Sequence, residues 1–228
     1  MDTTINRSRL FLASCMALIS TAMSFAIRGD LMGPWGEIFT LTAEQIGWVT
    51  GTAFWGFTLA MIFGGPLVDV IGMKRIMLFA FVGHLAGVLV TITATGFWTL
   101  FMGTLLIGLA NGLVEAACNP LVAGMYTSEK TKMLNRFHVW FPGGIVIGGL
   151  LMYFMSGMGI GWQLKVGIML IPTIVYGYLF FGQEFPETER VAKGISMQEM
   201  FKACLSPIFI FMVICMLMTA ATELGTNQ

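Results

Sequence analysis

The chain alternates between long apolar runs and short polar breaks. Leu10 to Ile27, Ile46 to Val68, Ile76 to Thr95, Phe97 to Tyr126, Phe137 to Met158 and Trp162 to Phe181 are almost free of charge. About 20 consecutive apolar residues cross a bilayer as a helix, so the pattern predicts six membrane spans. The first run ends in Arg28-Gly29-Asp30. Gly33-Pro34 is expected to break it, leaving residues 35–45 as an acidic loop with Glu37 and Glu44. A signal peptide is the alternative for this run, since its flank is basic, but it is long for that role and lacks a small-residue cleavage site. Asp69 to Arg75 reads as a tight basic turn, and glycines at 47, 51, 56, 64 and 65 of span two and at 144, 148 and 149 of span five suggest close helix contacts.

Residues 183–206 form the longest polar stretch. Ser196 with Glu199 three residues on is a capping-box pattern. Met197, Met200, Phe201 and Cys204 then share one face, which predicts a short helix lying on the membrane surface. Pro207 ends it, and Ile208 opens a seventh apolar run that carries Glu223 and stops at Gln228. The expected organisation is a six-span amino-terminal bundle over 1–182, a cytoplasmic inter-half loop over 183–206, and the start of a second bundle over 207–228. On that reading the chain is a fragment, with a seven-span protein as the alternative.

Composition confirms the membrane setting: 57% of the 228 residues are hydrophobic and only 11% are charged, against about 25% charged in soluble domains. Mean hydropathy is +0.83. The zero formal net charge leaves no nucleic-acid footprint. None of the four cysteines is spaced for a metal, the two histidines lie on different spans, and no phosphate loop or nucleophile elbow occurs. No cofactor, no metal and no enzymatic role is therefore expected. With odd spans running outward, Arg7, Arg9, Lys74, Arg75, Lys130, Lys132, Arg136, Arg190, Lys193 and Lys202 fall inside, against Lys165 and Arg28 outside. That bias sets the amino terminus in the cytoplasm, in a cell (inner) membrane.

The chemistry concentrates in span four. Glu115 sits near its middle, where a carboxylate costs roughly 2.5–3.5 kcal/mol on insertion scales. Asn111 and Asn119 lie four residues either side, which puts the three on one helix face. Pro120 frees a carbonyl near Ala116 and loosens the helix beside the acid. Such a stripe suits a wall of a watery pathway. Asp69 aside, the acids within or at the ends of spans are Asp30, Glu115 and Glu223, on spans one, four and seven, which agrees with a repeat of three spans lining one cavity. Each has a blander reading: Asp30 in headgroup water beside Arg28, Glu115 bonded to a neighbouring helix, Glu223 near the surface. Ser20 and Ser24 lead at fourfold spacing to Arg28. His84 reads as a packing residue. His138, with Asn135 a turn before it and Trp140 beside it, faces either the cavity or the cytoplasm.

Gly65-Pro66-Leu67-Val68-Asp69-Val70-Ile71-Gly72-Met73-Lys74-Arg75 resembles the loop between spans two and three of the major facilitator superfamily, G-x-L-x-D-[RK]-x-G-[RK]-[RK]. Gly65 would allow close approach, Gly72 the sharp turn, and Lys74 and Arg75 would hold the loop inside. Asp69 at a helix carboxyl end needs a basic partner, and Val70 and Met73 replace two usual basic residues. A narrower resemblance, carried by Asp30 before Phe39-Thr40-Leu41-Thr42, by Gly112 to Pro120, by Leu134-Asn135-Arg136-Phe137-His138 and by Glu223 with Gly225, is to the sugar–proton symporters of the fucose permease type.

The resemblance implies an all-α membrane protein: a six-helix bundle of two three-helix repeats plus a truncated seventh span, twelve spans when completed by a missing carboxy-terminal half. It implies a secondary transporter of a small polar solute, most simply a sugar, with protons as the coupled ion and the lipid bilayer as surroundings. Glu115 and Asp30 would carry proton coupling. Asn111, Asn119, His138, Trp140, Asn135 and Glu223 would line the solute site, although the position of His138 usually bears an amide in that group. The alternatives are a drug or metabolite exporter of the same superfamily, which the Asn-Glu-Asn stripe argues against, and an intramembrane enzyme or sensor.

Overall fold

The structure, a computed structural model, describes residues 5–225, with side chains through residue 219. Among the described residues it is helical with no strand. Four unbroken helices come first: α1 Arg7–Ile38, α2 Ala43–Ile71, α3 Met73–Ile92 and α4 Phe97–Met125. Helices α5 Lys130–His138 and α6 Trp140–Gly157 together make the fifth span, and α7 Trp162–Gly167 with α8 Leu170–Phe180 the sixth. All six are long and apolar enough to cross a membrane.

Prolines do less than the sequence suggests. Helix α1 runs straight through Gly33-Pro34, so residues 35–38 are helical and the expected acidic loop shrinks to residues 39–42. Pro34 withdraws one N–H near the helix end, where Gly33 and Pro34 are exposed and the freed carbonyl can be solvated. Pro66 and Pro120 likewise sit inside α2 and α4. Helix α2 starts abruptly because Thr42 and Gln45 form a capping box. The expected turn over Asp69 to Arg75 also contracts: Gly72 alone separates α2 from α3, at φ 87°. A side chain there would be strained, so the glycine makes the corner.

Packing crosses between the two halves of the span order. Helix α1 lies against the fifth and sixth spans, while α4 lies against α2 and α3. The first helix of each three-helix repeat is thus clasped by the second and third helices of the other, the arrangement expected of two related repeats. Small residues set the distances. A Cβ on Gly112 would meet the Phe57 carbonyl and one on Gly108 the Thr52 carbonyl, so α2 and α4 touch backbone to backbone. Gly144 and Gly148 do the same for α6 against Ile19 and Met23 of α1. Gly65 does not: a Cβ there would meet nothing within 4 Å, and Gly64, facing Leu113 and Ala116, is the contact glycine. Gly47 and Gly149 also face open space.

The compact unit ends at Thr188. The second unit holds α9 Glu189–Ala192, α10 Met197–Cys204 and α11 Pro207–Gly225. Ser196 and Glu199 form the capping box that starts α10, and α10 meets α11 at a 64° bend.

Candidate functional site

Glu115 is 8% exposed on α4. Its Oε2 accepts a hydrogen bond of 2.7 Å from Asn119 Nδ2, one turn on. Asn119 Oδ1 in turn accepts from His138 Nε2 at 2.9 Å. His138 ends α5 and is exposed, while Asn119 is half-buried. A polar chain therefore runs from the surface of the bundle to a carboxylate inside it. Asn135 and Trp140 are exposed near its outer end, and Asn135 makes no side-chain hydrogen bond among the described residues.

Asn111 does not join it. It is fully buried and belongs to a second network. His84 Nε2 donates to Asn111 Oδ1 at 2.8 Å, which leaves Nδ1 to accept from the Tyr176 hydroxyl at 2.9 Å. Asn111 Nδ2 donates to Ser24 Oγ at 2.8 Å, and Ser24 donates to the Thr21 carbonyl. All donors point one way, from the sixth span through α3 and α4 to α1. The single face drawn from fourfold spacing is therefore divided. A four-residue step overshoots the 3.6-residue turn by about 40°, and on a helix packed on several sides that drift puts Asn111 in the interior and not on the open side.

Asp30 lies elsewhere again. Lys165 Nζ donates to its Oδ2 at 2.8 Å and to Ser156 Oγ at 2.6 Å. Arg28 is not its partner. Lys165 is only 7% exposed, although the sequence places it on an outside flank. Ser24 and Asn111 lie at one level, α1 and α4 are antiparallel, Asp30 is six residues beyond Ser24 and Glu115 four residues beyond Asn111 the other way. At 1.5 Å per residue the two acids sit roughly 15 Å apart along the bundle. They are separate sites and not a carboxylate pair.

At the α2–α3 corner, Asp69 accepts from the Thr188 hydroxyl, and Lys74 lies 3.5 Å from Glu184 with both side chains more than half exposed. Arg9 donates to the carbonyls of Leu179 and Tyr178 at the end of α8. Arg75 is exposed. Glu223 lies outside the residues whose side chains are described. Sequence reasoning missed Lys165 as the partner of Asp30 and His84 as a hub. The available signals were a lysine three residues into an apolar span and a histidine level with amides on neighbouring spans.

The model of the Major Facilitator Superfamily matches residues 10–226. The chain is 27% identical over 175 residues to a D-xylose transporter of Levilactobacillus brevis, covering 76% of this chain and 36% of that protein. It is 28% identical over 167 residues to myo-inositol transporter 1 of Saccharomyces cerevisiae, covering 69% and 27%. It is 29% identical over 139 residues to the facilitated glucose transporter member 10 of Danio rerio, covering 60% and 27%. The chain thus spans about a third or less of these relatives' length. Its fold matches a mutant of the peptide transporter POT with a TM-score of 0.67 at 17% identity, over 94% of this chain and 47% of that one. With six apolar helices, cross-packed repeats and a family model matched along almost its whole length, the chain belongs to the Major Facilitator Superfamily.

Proposed function

We propose that this chain forms one half of a secondary transporter that carries a sugar together with protons. The relatives support the solute class: they are transporters of xylose, inositol and glucose by name. The observation that carries proton coupling is the Glu115–Asn119–His138 chain. A carboxylate inside a span is costly, and here one amide bond and one exposed imidazole connect it to the open face of the bundle. Protonation would turn Glu115 from an acceptor into a donor and release Asn119 Nδ2. Asn119, His138 and Asn135 would then offer donors and acceptors to sugar hydroxyls, with Trp140 as the apolar plate. Asn111 shapes this wall from behind. Asp30, held by Lys165 at the other end, relays protons or bonds solute there.

On this reading the basic end of the bundle is cytoplasmic, as the lysine and arginine bias requires. Gly65, Asp69, Gly72, Lys74 and Arg75 form the gating corner at that end. A second half, beginning at α11 and contributing Glu223, supplies the opposite wall, and the halves rock about the site. The length of the relatives supports this.

The test is uptake by the complete transporter in proteoliposomes, against a panel of monosaccharides, with external pH recorded. One sugar should alkalinise the medium, and Glu115→Gln should abolish that signal while facilitated exchange persists. Unchanged uptake against a gradient in Glu115→Gln would sink the coupling role. Sugar uptake that needs sodium and moves no protons would replace protons by sodium.

A further inference from the structure

The polar face of α1 does not end at Ser24. One turn further, Arg28 turns into the bundle and is only 6% exposed. Its Nη1 is buried and has no hydrogen-bond acceptor among the described residues, and no carboxylate there pairs with it. The nearest acid in sequence, Asp30, is committed to Lys165 at 2.8 Å. Two buried cations therefore share this end of the bundle with one partly buried carboxylate, since Glu37 and Glu44 there are exposed. A second orphan lies beside the first: Trp35 is 2% exposed and its indole Nε1–H also lacks an acceptor. Arg28 and Trp35 line the same cavity, of about 10 Å³, together with Ser24, Thr91 and Thr104.

Both orphans can only donate. An unpaired buried cation costs several kcal/mol, and an orphaned donor adds to that. The occupant that removes both penalties accepts two hydrogen bonds and carries negative charge. The cavity is small, which favours a single-atom anion over a carboxylate, phosphate or sulfate. We propose that Arg28 and Trp35 form a binding site for a monoatomic anion, chloride, buried among α1, α3, α4 and the sixth span. The site lies on the opposite side of the Ser24–Asn111 layer from Glu115. It neutralises Arg28 within the membrane and pins the end of α1 that carries Asp30.

The experiment is thermal unfolding of the purified protein in detergent at fixed pH and ionic strength, with sodium gluconate replaced stepwise by sodium chloride. Gluconate is too large for the cavity. The unfolding midpoint should rise by several degrees and saturate, as for any ligand held only by the folded state. Arg28→Gln should abolish the rise. Trp35→Phe, which deletes one donor and keeps the charge, should raise the half-saturating chloride about tenfold. Bromide should give an anomalous peak between Arg28 Nη1 and Trp35 Nε1. Equal midpoints in chloride and gluconate, or an undiminished rise in Arg28→Gln, would overturn the site and leave a water in the cavity. Where Arg28→Gln yields no folded protein, the other two measurements decide: unshifted half-saturation in Trp35→Phe with no bromide peak rejects the site.

Discussion

Replacing His84 by leucine tests the interior network directly. The ring is fully buried, and its two nitrogens are bonded at 2.9 and 2.8 Å to Tyr176 and Asn111. Leucine fills similar space, so packing changes little and the loss is polar. Two buried groups, a hydroxyl and an amide oxygen, are left without a partner. Each orphan costs about 1–3 kcal/mol in a water-soluble core. Interhelical bonds in membranes measure lower, averaging about 0.6 kcal/mol, because the unfolded helices find other partners in lipid. Between those limits His84→Leu should destabilise by about 2 kcal/mol, which for a chain of this size lowers the unfolding midpoint by about 4–8 °C. Tyr176→Phe removes one of the two orphans in advance. The double variant His84→Leu with Tyr176→Phe should therefore be less destabilised than the sum of the singles. Strict additivity would refute the network. So would a His84→Leu protein that melts with the wild type.

Three further outcomes follow from other contacts. Gly112→Val should destabilise by about 1–3 kcal/mol by forcing α2 off α4 at the Phe57 carbonyl, whereas Gly65→Val, with open space around it, should leave the melting midpoint unchanged. Lys165→Met should destabilise more than the double variant with Asp30→Asn, since the single change strands a carboxylate of which 27% is exposed; a circular-dichroism melt compares them. Gly72→Ala strains the α2–α3 corner at φ 87°, so protease should cut that corner faster by several-fold.

Span number, the corner motif and the burial of Glu115 were legible in the chain, because each is a local pattern: apolar length, a glycine between two helices, a carboxylate within an apolar run. The partners were not. Asp30 with Lys165 and His84 with Tyr176 join residues 135 and 92 positions apart, and nothing in spacing along one helix says which neighbour packs against it. The first boundary erred where Pro34 was taken as a stop. Pro34 lies inside its helix, as Pro66 and Pro120 lie inside theirs, because a long apolar helix held by its neighbours forgoes one backbone bond at small cost. The fourfold stripe on α4 divided for a geometric reason: a helix enclosed on several sides presents Asn111 and Glu115 to different neighbours.

The cross-clasped repeats also bear on synthesis. Helix α1 is the most buried of the spans, 72% within its apolar window, and it is made first. Its clasp, the fifth and sixth spans, emerges on the order of ten seconds later at ordinary translation rates. Through that interval Ser20 lacks its partner Thr173, and the cavity at Arg28 lacks Val166 and Met169. Helix α4, by contrast, meets α2 and α3 as soon as it appears. The second, third and fourth spans can therefore settle as the ribosome works, while the first must wait in the insertion machinery or at its lipid margin. Biogenesis of this half is completed from its last spans back to its first.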